Sequence, residues 1–466
     1  MSSLREKGTP LPRLLARVLE TGCEFLDTLD SRPVACTAAP PMPAGDLPQS
    51  GCGEIDALAL FRRRIMPYLS ASAGPRYWGF VTGGASPAAL AGDWLAAVAD
   101  QNPASSGDSI APAVELQVLD WLRQLFGLPA SFTGSLTSGA TSANLLGLLC
   151  GRQFAGLAQG IDVAAGGMAG VHIEVLAASP HASSLKGLAM AGLGRDRVVK
   201  VACEADSERM QVADLERHLA ASDSPGKIVL ASAGTVTGTD FDDLAAIAAL
   251  CRAHHAWLHV DAAFGLFAAL LQERRQWLRG IELADSITSD AHKWLNVPYD
   301  SGIFLTRHVA LLEAVLAVPS PYLPADGPLP HFMNRGVENS RRFRALPLWF
   351  ALQAYGRDGV AGVVEDNCRQ ASRLAEWLDA SPDYRLLAPC RLNVVVFRPE
   401  RHAGVDVWLQ KLNATGEVFM TPGRWRGEAA VRAAFSNWST GDADVQRVIE
   451  LLREAGRPDW GRPPGC

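Results

Sequence analysis

Few residues in this chain can act as an amine nucleophile, because only six of its 43 Lys and Arg residues are lysines. Arginine stays protonated near neutral pH, whereas a desolvated lysine can form an imine with an aldehyde. Lys293 follows a strand-like run and stands between His292 and Trp294, an unusual setting for a solvated lysine. The pattern favours Lys293 as an imine-forming amine. A surface lysine packed along a tryptophan is the alternative.

An acidic residue ends another apolar run, within the sequence H-V-D-A-A-F-G at 259–265. Asp261 therefore lies at the carboxyl end of a predicted strand, where parallel sheets bind their ligands. A carboxylate in such a place needs a cationic or hydrogen-donating partner, because burial penalises its charge. A protonated pyridine nitrogen is one such partner. An aspartate that caps the next turn is the alternative.

Small and hydroxyl-bearing residues open a predicted helix at 137–144, T-S-G-A-T-S-A-N. The free amides of a helix N-terminus and the helix dipole bind phosphate groups. The segment has neither the lysine of a Walker loop nor a G-x-G-x-x-G pattern, which disfavours a nucleoside triphosphate or NAD. It predicts a phosphate-binding turn, with an ordinary helix N-cap as the alternative.

An imine-forming lysine, an acid for a ring nitrogen and a phosphate turn are together the contacts that pyridoxal 5'-phosphate requires. The sequence that carries them resembles the group II pyridoxal-phosphate-dependent amino acid decarboxylases, the family of the aromatic-L-amino-acid, tyrosine, histidine and glutamate decarboxylases. The resemblance extends from about Tyr77 to about Leu452, and its most specific motif is H-K-W-x-x-x-x-Y-D at 292–300. It implies that pyridoxal 5'-phosphate is the cofactor.

The resemblance also implies roles for the residues that match family motifs. Lys293 would hold the cofactor as an imine, His181 would stack on its outer face, and Tyr322 in a mobile loop would protonate the product carbon; these are the implied catalytic residues. The implied cofactor contacts are Ala140, Thr141, Ser142, His181, Thr235, Asp261, Ala263, His292 and Lys293. Candidate substrate contacts are Trp78 and Phe80, which are alternatively core residues, and Arg341 in the R-R-F-R stretch.

By this resemblance the protein is an amino acid decarboxylase that releases CO2 and the corresponding amine, with an aromatic substrate favoured. The alternatives are an aldehyde synthase, an aminotransferase with Arg391 as its carboxylate anchor, and a catalytically silent cofactor-binding protein. Three positions depart from the family pattern: Asp290 replaces a common Asn, Val236 interrupts a threonine pair, and 102–107 is small and polar. Aromatic-acid decarboxylases place a bulky ring from the partner subunit at that last segment. The resemblance implies a homodimer.

The elements that position these residues alternate between strands and helices. Apolar runs predict strands at 171–177, 198–202, 227–231 and 256–260, and amphipathic spacing predicts helices at 211–221 and 241–254. This alternation predicts an α/β fold with a mixed, mostly parallel sheet and helices on both faces. The resemblance implies fold type I, which is aspartate aminotransferase-like.

The C-terminal part predicts a small α+β domain, with a helix near 368–378, a strand at 392–397 and a helix at 444–452. A proline-rich stretch at 319–330 interrupts regular structure and predicts a loop. The predicted divisions are an N-terminal segment 1–85, a large cofactor-binding domain 86–310, a catalytic loop and connector 311–345, and the small domain 346–466.

Composition and charge exclude several classes of protein. A net charge of −6 without a basic cluster disfavours nucleic acid as a partner. No apolar run approaches the roughly 18 residues that span a membrane, and no signal-peptide core follows the N-terminus. Nine cysteines without a C-x-x-C pair predict a reduced, cytoplasmic protein without a disulfide framework or a cysteine metal site.

Overall fold

The computed structural model describes residues 9–460 apart from 37–39, 41, 43, 44, 106, 107, 318–328 and 403. Its larger sheet has seven strands in the order β1-β7-β6-β5-β4-β2-β3. Strand β7 runs antiparallel to its neighbours β1 and β6, and the remaining pairs are parallel. The strands are β1 Thr133–Thr137, β2 Ile173–Ala177, β3 Val199–Lys200, β4 Gly226–Ser232, β5 Ala256–Asp261, β6 Ser286–Asp290 and β7 Gly302–Thr306.

Both faces of this sheet are buried. Along β4, Ile228 and Leu230 belong to one apolar cluster while Val229 and Ala231 belong to another, and successive strand residues point to opposite faces. Helices cover the two layers, which confirms the predicted fold class. The helices are α1 Leu11–Asp27, α2 Glu54–Arg64, α3 Pro87–Ala99, α4 Ala111–Leu125, α5 Ala140–Leu157, α6 Val163–Gly166, α7 Ala182–Met190, α8 Val212–Ala221, α9 Leu244–Ala253, α10 Val309–Leu316, α11 Ala345–Asp379, α12 Val405–Ala414 and α13 Asp442–Ala455.

The predicted elements agree with the structure in type and differ in extent. The strand predicted at 198–202 shortens to Val199–Lys200, because the chain beyond it turns into an isolated bridge between Cys203 and Met210. The helix predicted near 368–378 is only the second half of α11. This long helix is broken at Gly356, whose φ of 59° lies in the left-handed region that favours glycine.

Helix α3 buries a different face from the one its sequence suggests. The apolar spacing of its large residues predicts that Trp94, Leu95 and Val98 face the core, yet all three are exposed. The buried face carries small residues instead, and a Cβ at Gly92 would lie 2.9 Å from the Leu346 carbonyl oxygen of α11. Small side chains let the two helices approach closely, so the large side chains point outward.

The C-terminal part forms a second, antiparallel sheet in the order β10-β11-β9-β8. Its strands are β8 Tyr384–Leu386, β9 Val394–Pro399, β10 Thr421–Trp425 and β11 Glu428–Ala434. Trp78, from the N-terminal segment, lies in the core beneath this sheet, with its ring centroid 4.3 Å from that of Phe435. Among the described residues, no helix is long and apolar enough to cross a membrane.

Candidate active site

Lys293 lies in the turn after β6, at the carboxyl end of the sheet. Its side chain is 15% exposed, and its Nζ lies 2.9 Å from Oδ2 of Asp290, the last residue of β6. The main chain of Gly83 packs against the lysine, because a Cβ there would lie 1.7 Å from the Lys293 carbonyl oxygen. Gly83 N also donates to the His292 carbonyl at 3.2 Å. The segment before α3 therefore fixes the backbone of the lysine turn.

Asp261 ends β5, the strand that pairs with β6. Its Oδ2 accepts hydrogen bonds from Asn144 Nδ2 at 2.9 Å and from Ser184 Oγ at 3.3 Å. Its Oδ1 accepts from Ala263 N at 3.3 Å. All three donors are neutral, so they orient the carboxylate without neutralising it. A cationic ring nitrogen is the partner that such a carboxylate suits.

His181 precedes α7 and caps it: Nδ1 accepts from Ser183 N at 3.2 Å and lies 2.7 Å from Ser183 Oγ. The surrounding protein restricts hydration of the ring, and this lowers the pKa of His181. The nearby charge of Asp261 acts against this effect, whereas Lys293 and Arg432 lower the pKa further. The imidazole is therefore neutral near pH 7. His181 is exposed on one side, and hydrogen bonds through Ser183 and Asn144 link its ring to Asp261.

The predicted phosphate turn is the N-terminus of α5. By helix geometry the amides of its first turn, including Thr141 and Ser142, have no partner within the helix. The amide of Ala140 donates to Asp290 Oδ1 at 2.7 Å. Gly139 lies beside His292, since a Cβ on this glycine would lie 3.5 Å from the imidazole Cε1. The turn, the histidine and the aspartate thus meet at one point.

The orientation of His292 is set by the loop between β6 and β7. Its Nδ1 donates to the Ser301 carbonyl at 2.8 Å, and its ring lies 4.5 Å from that of Tyr299. The Tyr299 hydroxyl is 2.9 Å from Thr82 Oγ1. Burial lowers the pKa of His292, with Asp290 acting in the opposite direction. Its Nε2 atom lies 3.6 Å from Asp290 Oδ2, and the same carboxylate accepts the Ala140 amide of the phosphate turn.

One charged residue was not among the site residues predicted from the sequence. Arg432, on β11, is 5% exposed, and burial lowers its pKa to about 10. Its Nη1 donates to Thr421 Oγ1 at 3.3 Å, while within the described residues Nε and Nη2 have no hydrogen-bond partner. An arginine inside the apolar strand pattern E-A-A-V-R-A-A is the signal that points to it.

Two of the predicted substrate contacts, Arg341 and Trp78, are buried. The prediction that Arg341 contacts a substrate is corrected, because its guanidinium forms a buried ion pair with Glu115 at 2.7 Å. Trp78 is 1% exposed and is the core residue that was its alternative. The Thr235 hydroxyl accepts from Asp240 N at 2.9 Å and closes a turn. Tyr322 lies outside the described residues.

The aminotransferase alternative relied on Arg391, which the structure shows in an ion pair. Its Nη1 lies 3.0 Å from Oδ1 of Asp240, a carboxylate that also accepts from Glu208 N at 2.7 Å. A carboxylate from a substrate would have to displace Asp240. The geometry thus disfavours Arg391 as a substrate anchor.

Comparison with known proteins identifies the family. The model of the pyridoxal-dependent decarboxylase conserved domain matches residues 47–400. The chain belongs to this family. It is 28% identical over 372 residues to the aromatic-L-amino-acid decarboxylase of Bacillus atrophaeus, covering 77% of this chain and 75% of the relative. It is 33% identical over 360 residues to the L-2,4-diaminobutyrate decarboxylase of Rhizobium meliloti (strain 1021), covering 76% and 70%.

The fold of this pyridoxal-dependent decarboxylase matches solved structures across nearly its whole length. A crystal structure of Oryza sativa TDC with PLP and tryptamine superimposes with a TM-score of 0.88 at 23% identity. The match covers 97% of this chain and 99% of the other. The protein is thus a decarboxylase that depends on pyridoxal 5'-phosphate, as the sequence predicted.

The residues at the strand ends fit that cofactor. The first-turn amides of α5 suit its phosphate, the carboxylate of Asp261 suits a protonated ring nitrogen, and the amine of Lys293 suits its aldehyde. The carboxylate of Asp290 carries a charge that opposes the phosphate, and it contacts the Ala140 amide, Lys293 Nζ and His292 Nε2.

Proposed function

We propose that this decarboxylase acts on an aromatic L-amino acid and releases CO2 and the corresponding amine. The observation that carries the proposal is the meeting of Lys293, Asp261 and His181 at the carboxyl edge of the sheet. Hydrogen bonds through Ser183 and Asn144 link His181 to Asp261, and Lys293 Nζ lies 5.8 Å from the ring centroid of Phe264, which follows Asp261 in the same turn. They supply an amine, an acid for a ring nitrogen and a neutral imidazole.

Pyridoxal 5'-phosphate, when bound, supplies an electron-accepting ring. Lys293 would hold its aldehyde carbon, and Asp261 would keep the proton on the ring nitrogen. The amides of Thr141 and Ser142 with His292 would bind the phosphate beside Ala140, whose own amide donates to Asp290. His181 covers the ring and assists proton transfer to the substrate carbon. Thr235 and Ala263 complete the proposed cofactor contacts.

An aromatic cluster supports the choice of substrate. Tyr77 stacks on Phe419 with ring centroids 4.7 Å apart, and Phe80 lies 6.0 Å from the same ring. Phe80 is 62% exposed and has a φ of 63°, a conformation that is costly for a non-glycine residue. The same segment packs on Lys293 through Gly83. The strained backbone thus presents an exposed aromatic ring beside the lysine turn.

A screen of the natural L-amino acids tests the proposal. The loaded enzyme is incubated with each one while CO2, amine, keto acid and aldehyde are measured, with Lys293→Ala as the control that lacks the amine. Release of CO2 and amine from an aromatic substrate supports the proposal. Keto acid without CO2 indicates an aminotransferase, and preference for an acidic or basic substrate overturns the aromatic assignment.

We propose that Tyr322 protonates the product carbon. In the Tyr322→Phe variant that proton donor is lost, so in air-saturated buffer, where O2 is the two-electron oxidant, we expect the ratio of aldehyde plus ammonia to amine to rise. Product analysis with the preferred substrate measures this ratio. An unchanged ratio contradicts the role, and a wild-type enzyme that already yields mainly aldehyde identifies an aldehyde synthase.

We also propose that the protein is a cytoplasmic homodimer. Helix α1 exposes Leu11, Leu15, Val18, Leu19 and Leu26, and α3 exposes three further large apolar residues. An apolar surface of this kind marks an interface, and a second copy of the chain is the proposed cover. Sedimentation measures the mass, and we expect Leu19→Asp with Val98→Asp to shift a dimer toward monomer. Reduced cysteines, all free among the described residues, support the cytoplasmic location.

A further inference from the structure

Asn144, in the second turn of α5, is fully buried between two of the proposed active-site residues. Its Nδ2 donates to Asp261 Oδ2 and to Ser183 Oγ, both at 2.9 Å. Ser183 Oγ in turn lies 2.7 Å from Nδ1 of His181. Each hydrogen of the amide therefore has a partner, one at Asp261 and one leading to His181.

The carbonyl side of the same amide is bound by a buried histidine. His259 Nε2 lies 2.9 Å from Asn144 Oδ1, and Nδ1 lies 2.8 Å from Ser286 Oγ. Trp257 Nε1 donates to that hydroxyl at 3.2 Å. The Asp261 carboxylate is only an acceptor, so Asn144 turns Nδ2 toward it and turns Oδ1, also only an acceptor, toward His259 Nε2. His259 Nδ1 is then free to accept from Ser286 Oγ, the hydroxyl to which Trp257 donates. The proton of the neutral imidazole then lies on Nε2 and points at Asn144.

The packing of α5 leaves little freedom to this arrangement. A Cβ at Gly147 would lie 2.2 Å from His259 Nδ1, so the glycine lets the helix lie directly on the imidazole. Gly147 is about one turn after Asn144. This close contact sets the distance between the Asn144 side-chain amide and strand β5.

Only one direction of the amide satisfies all of these groups. If the Asn144 amide were reversed, its oxygen would face the Asp261 carboxylate and its hydrogens would face the N–H of His259. Two acceptors and two donors would then oppose each other without partners, which is costly in a buried site. The direction set between Asp261 and Asn144 thus extends through four hydrogen bonds to Trp257.

We propose that Asn144 is a positioning residue that orients the Asp261 carboxylate toward the cofactor ring, and that His259, Ser286 and Trp257 fix the direction of its amide. The inference rests on the proposed role of Asp261. It assigns a purpose to His259 and Ser286, two buried polar residues that touch neither the lysine nor the phosphate turn in the described contacts.

The first test reads the tautomer of His259 directly. Full-length protein labelled with ¹⁵N-histidine is studied by NMR at pH 7.5, with and without cofactor, and His259→Gln assigns the signal. We expect Nε2 to carry the proton and Nδ1 to be unprotonated in both forms. A proton on Nδ1, or a charged imidazole, overturns the inference. Because no turnover is needed, this result is independent of whether the proposed substrate is correct.

The second test asks whether the orientation of the Asn144 amide affects how the cofactor is bound. In Asn144→Leu and His259→Leu we expect the rate of cofactor loss to rise by on the order of 10-fold, and the ¹⁵N signal of a labelled cofactor ring nitrogen to move. His259→Gln keeps an N–H donor near the Nε2 position and should retain the wild-type values. Wild-type values in both leucine variants overturn the inference.

Matched controls separate positioning from general damage. Asn413 is a buried asparagine of the small domain that bonds only the main chain of Met420 in the described contacts. Asn413→Leu should leave the rate of cofactor loss and the ring nitrogen signal unchanged, and an equal effect would overturn the positioning role. Should Asn144→Leu fail to fold, Ser286→Ala removes only one hydroxyl. It should shift the ¹⁵N signal of His259 Nδ1, which loses its hydrogen-bond donor, and an unchanged signal would contradict the chain of hydrogen bonds.

Discussion

At the level of single residues, Asp290 is the group that most distinguishes this site. Its Oδ1 accepts the Ala140 amide at 2.7 Å, and its Oδ2 lies 2.9 Å from Lys293 Nζ. A carboxylate thus lies at the N-terminus of α5, where the phosphate is proposed to bind. The two donors stabilise its charge, but two anions at one helix end repel each other.

Replacement of this carboxylate by an amide should favour the phosphate. In Asp290→Asn we expect the dissociation constant of pyridoxal 5'-phosphate to fall by roughly fivefold, about 1 kcal/mol, because the repulsion disappears while an acceptor for Ala140 remains. Equilibrium titration by absorbance measures it. Pyridoxal, which lacks the phosphate, is the control ligand, and an equal change for both ligands would show that the phosphate is not involved.

Arg432 is the second residue whose surroundings suggest a role. Two of its guanidinium nitrogens have no partner among the described residues, although burial makes an unpaired charge costly. A carboxylate of the substrate is the partner that such a group suits. Its place near His181 supports this assignment.

Loss of the charge of Arg432 should weaken substrate binding. In Arg432→Met we expect KM to rise by about 10- to 100-fold, the loss of a charged hydrogen bond, while Arg432→Lys should retain part of the affinity. Steady-state kinetics measure this change. The product amine has no carboxylate, so its inhibition constant should stay the same; a parallel loss of amine binding would point instead to collapse of the pocket.

At the level of elements, the contact between α3 and α11 depends on one small residue. A Cβ at Gly92 would lie 2.9 Å from both the Leu346 carbonyl oxygen and Pro347 Cα. Backbone atoms cannot move away as a flexible side chain can. The contact also supports the site, because the segment that packs on Lys293 leads directly into α3.

A single added methyl group tests this contact. We expect Gly92→Ala to lower the free energy of unfolding by about 1–3 kcal/mol, because the helices must separate. Gly362→Ala is the matched control: it lies in α11 with nothing within 4 Å of its Cβ, and should raise stability by up to about 1 kcal/mol. Chemical denaturation measures both, and a neutral Gly92→Ala would refute the close contact.

At the level of the whole molecule, the buried His259 links stability to pH. Burial lowers its pKa from 6.5 to about 4. The folded state keeps the imidazole neutral, so its contribution to stability is complete above about pH 6.5 and is lost as the pH falls toward 4. Acid therefore lowers the free energy of unfolding through protonation of His259, the histidine that binds Asn144.

The free energy of unfolding at two pH values tests this linkage. Between pH 7.5 and pH 5 we expect His259 to account for a loss on the order of 2 kcal/mol in the wild type. His259→Gln cannot take up this proton, so it should lose correspondingly less. His255→Gln, at an exposed position, should keep the wild-type dependence. Equal losses in all three proteins would contradict the linkage.

The parts of the site that could be predicted are those carried by short stretches of chain. Lys293 and Asp261 each follow one apolar strand, and the phosphate turn opens one helix, so the local sequence contains their signals. Asn144 and His259 are 115 residues apart and meet only because α5 lies on β5. No local pattern distinguishes that pair from two ordinary polar residues.

The sequence by itself indicated the cofactor and, through its resemblance, the family. It also predicted the alternation of strands and helices between 171 and 260, because local motifs and apolar spacing carry these signals. The tertiary structure decided which polar residues serve the site. Arg341 and Arg432 each have two guanidinium nitrogens without a hydrogen-bond partner among the described residues, but Arg341 is paired with Glu115 at 2.7 Å, whereas Arg432 donates to the hydroxyl of Thr421. The physical reason is that the energy of a buried charge depends on the partner groups beside it, and the tertiary packing determines which groups those are.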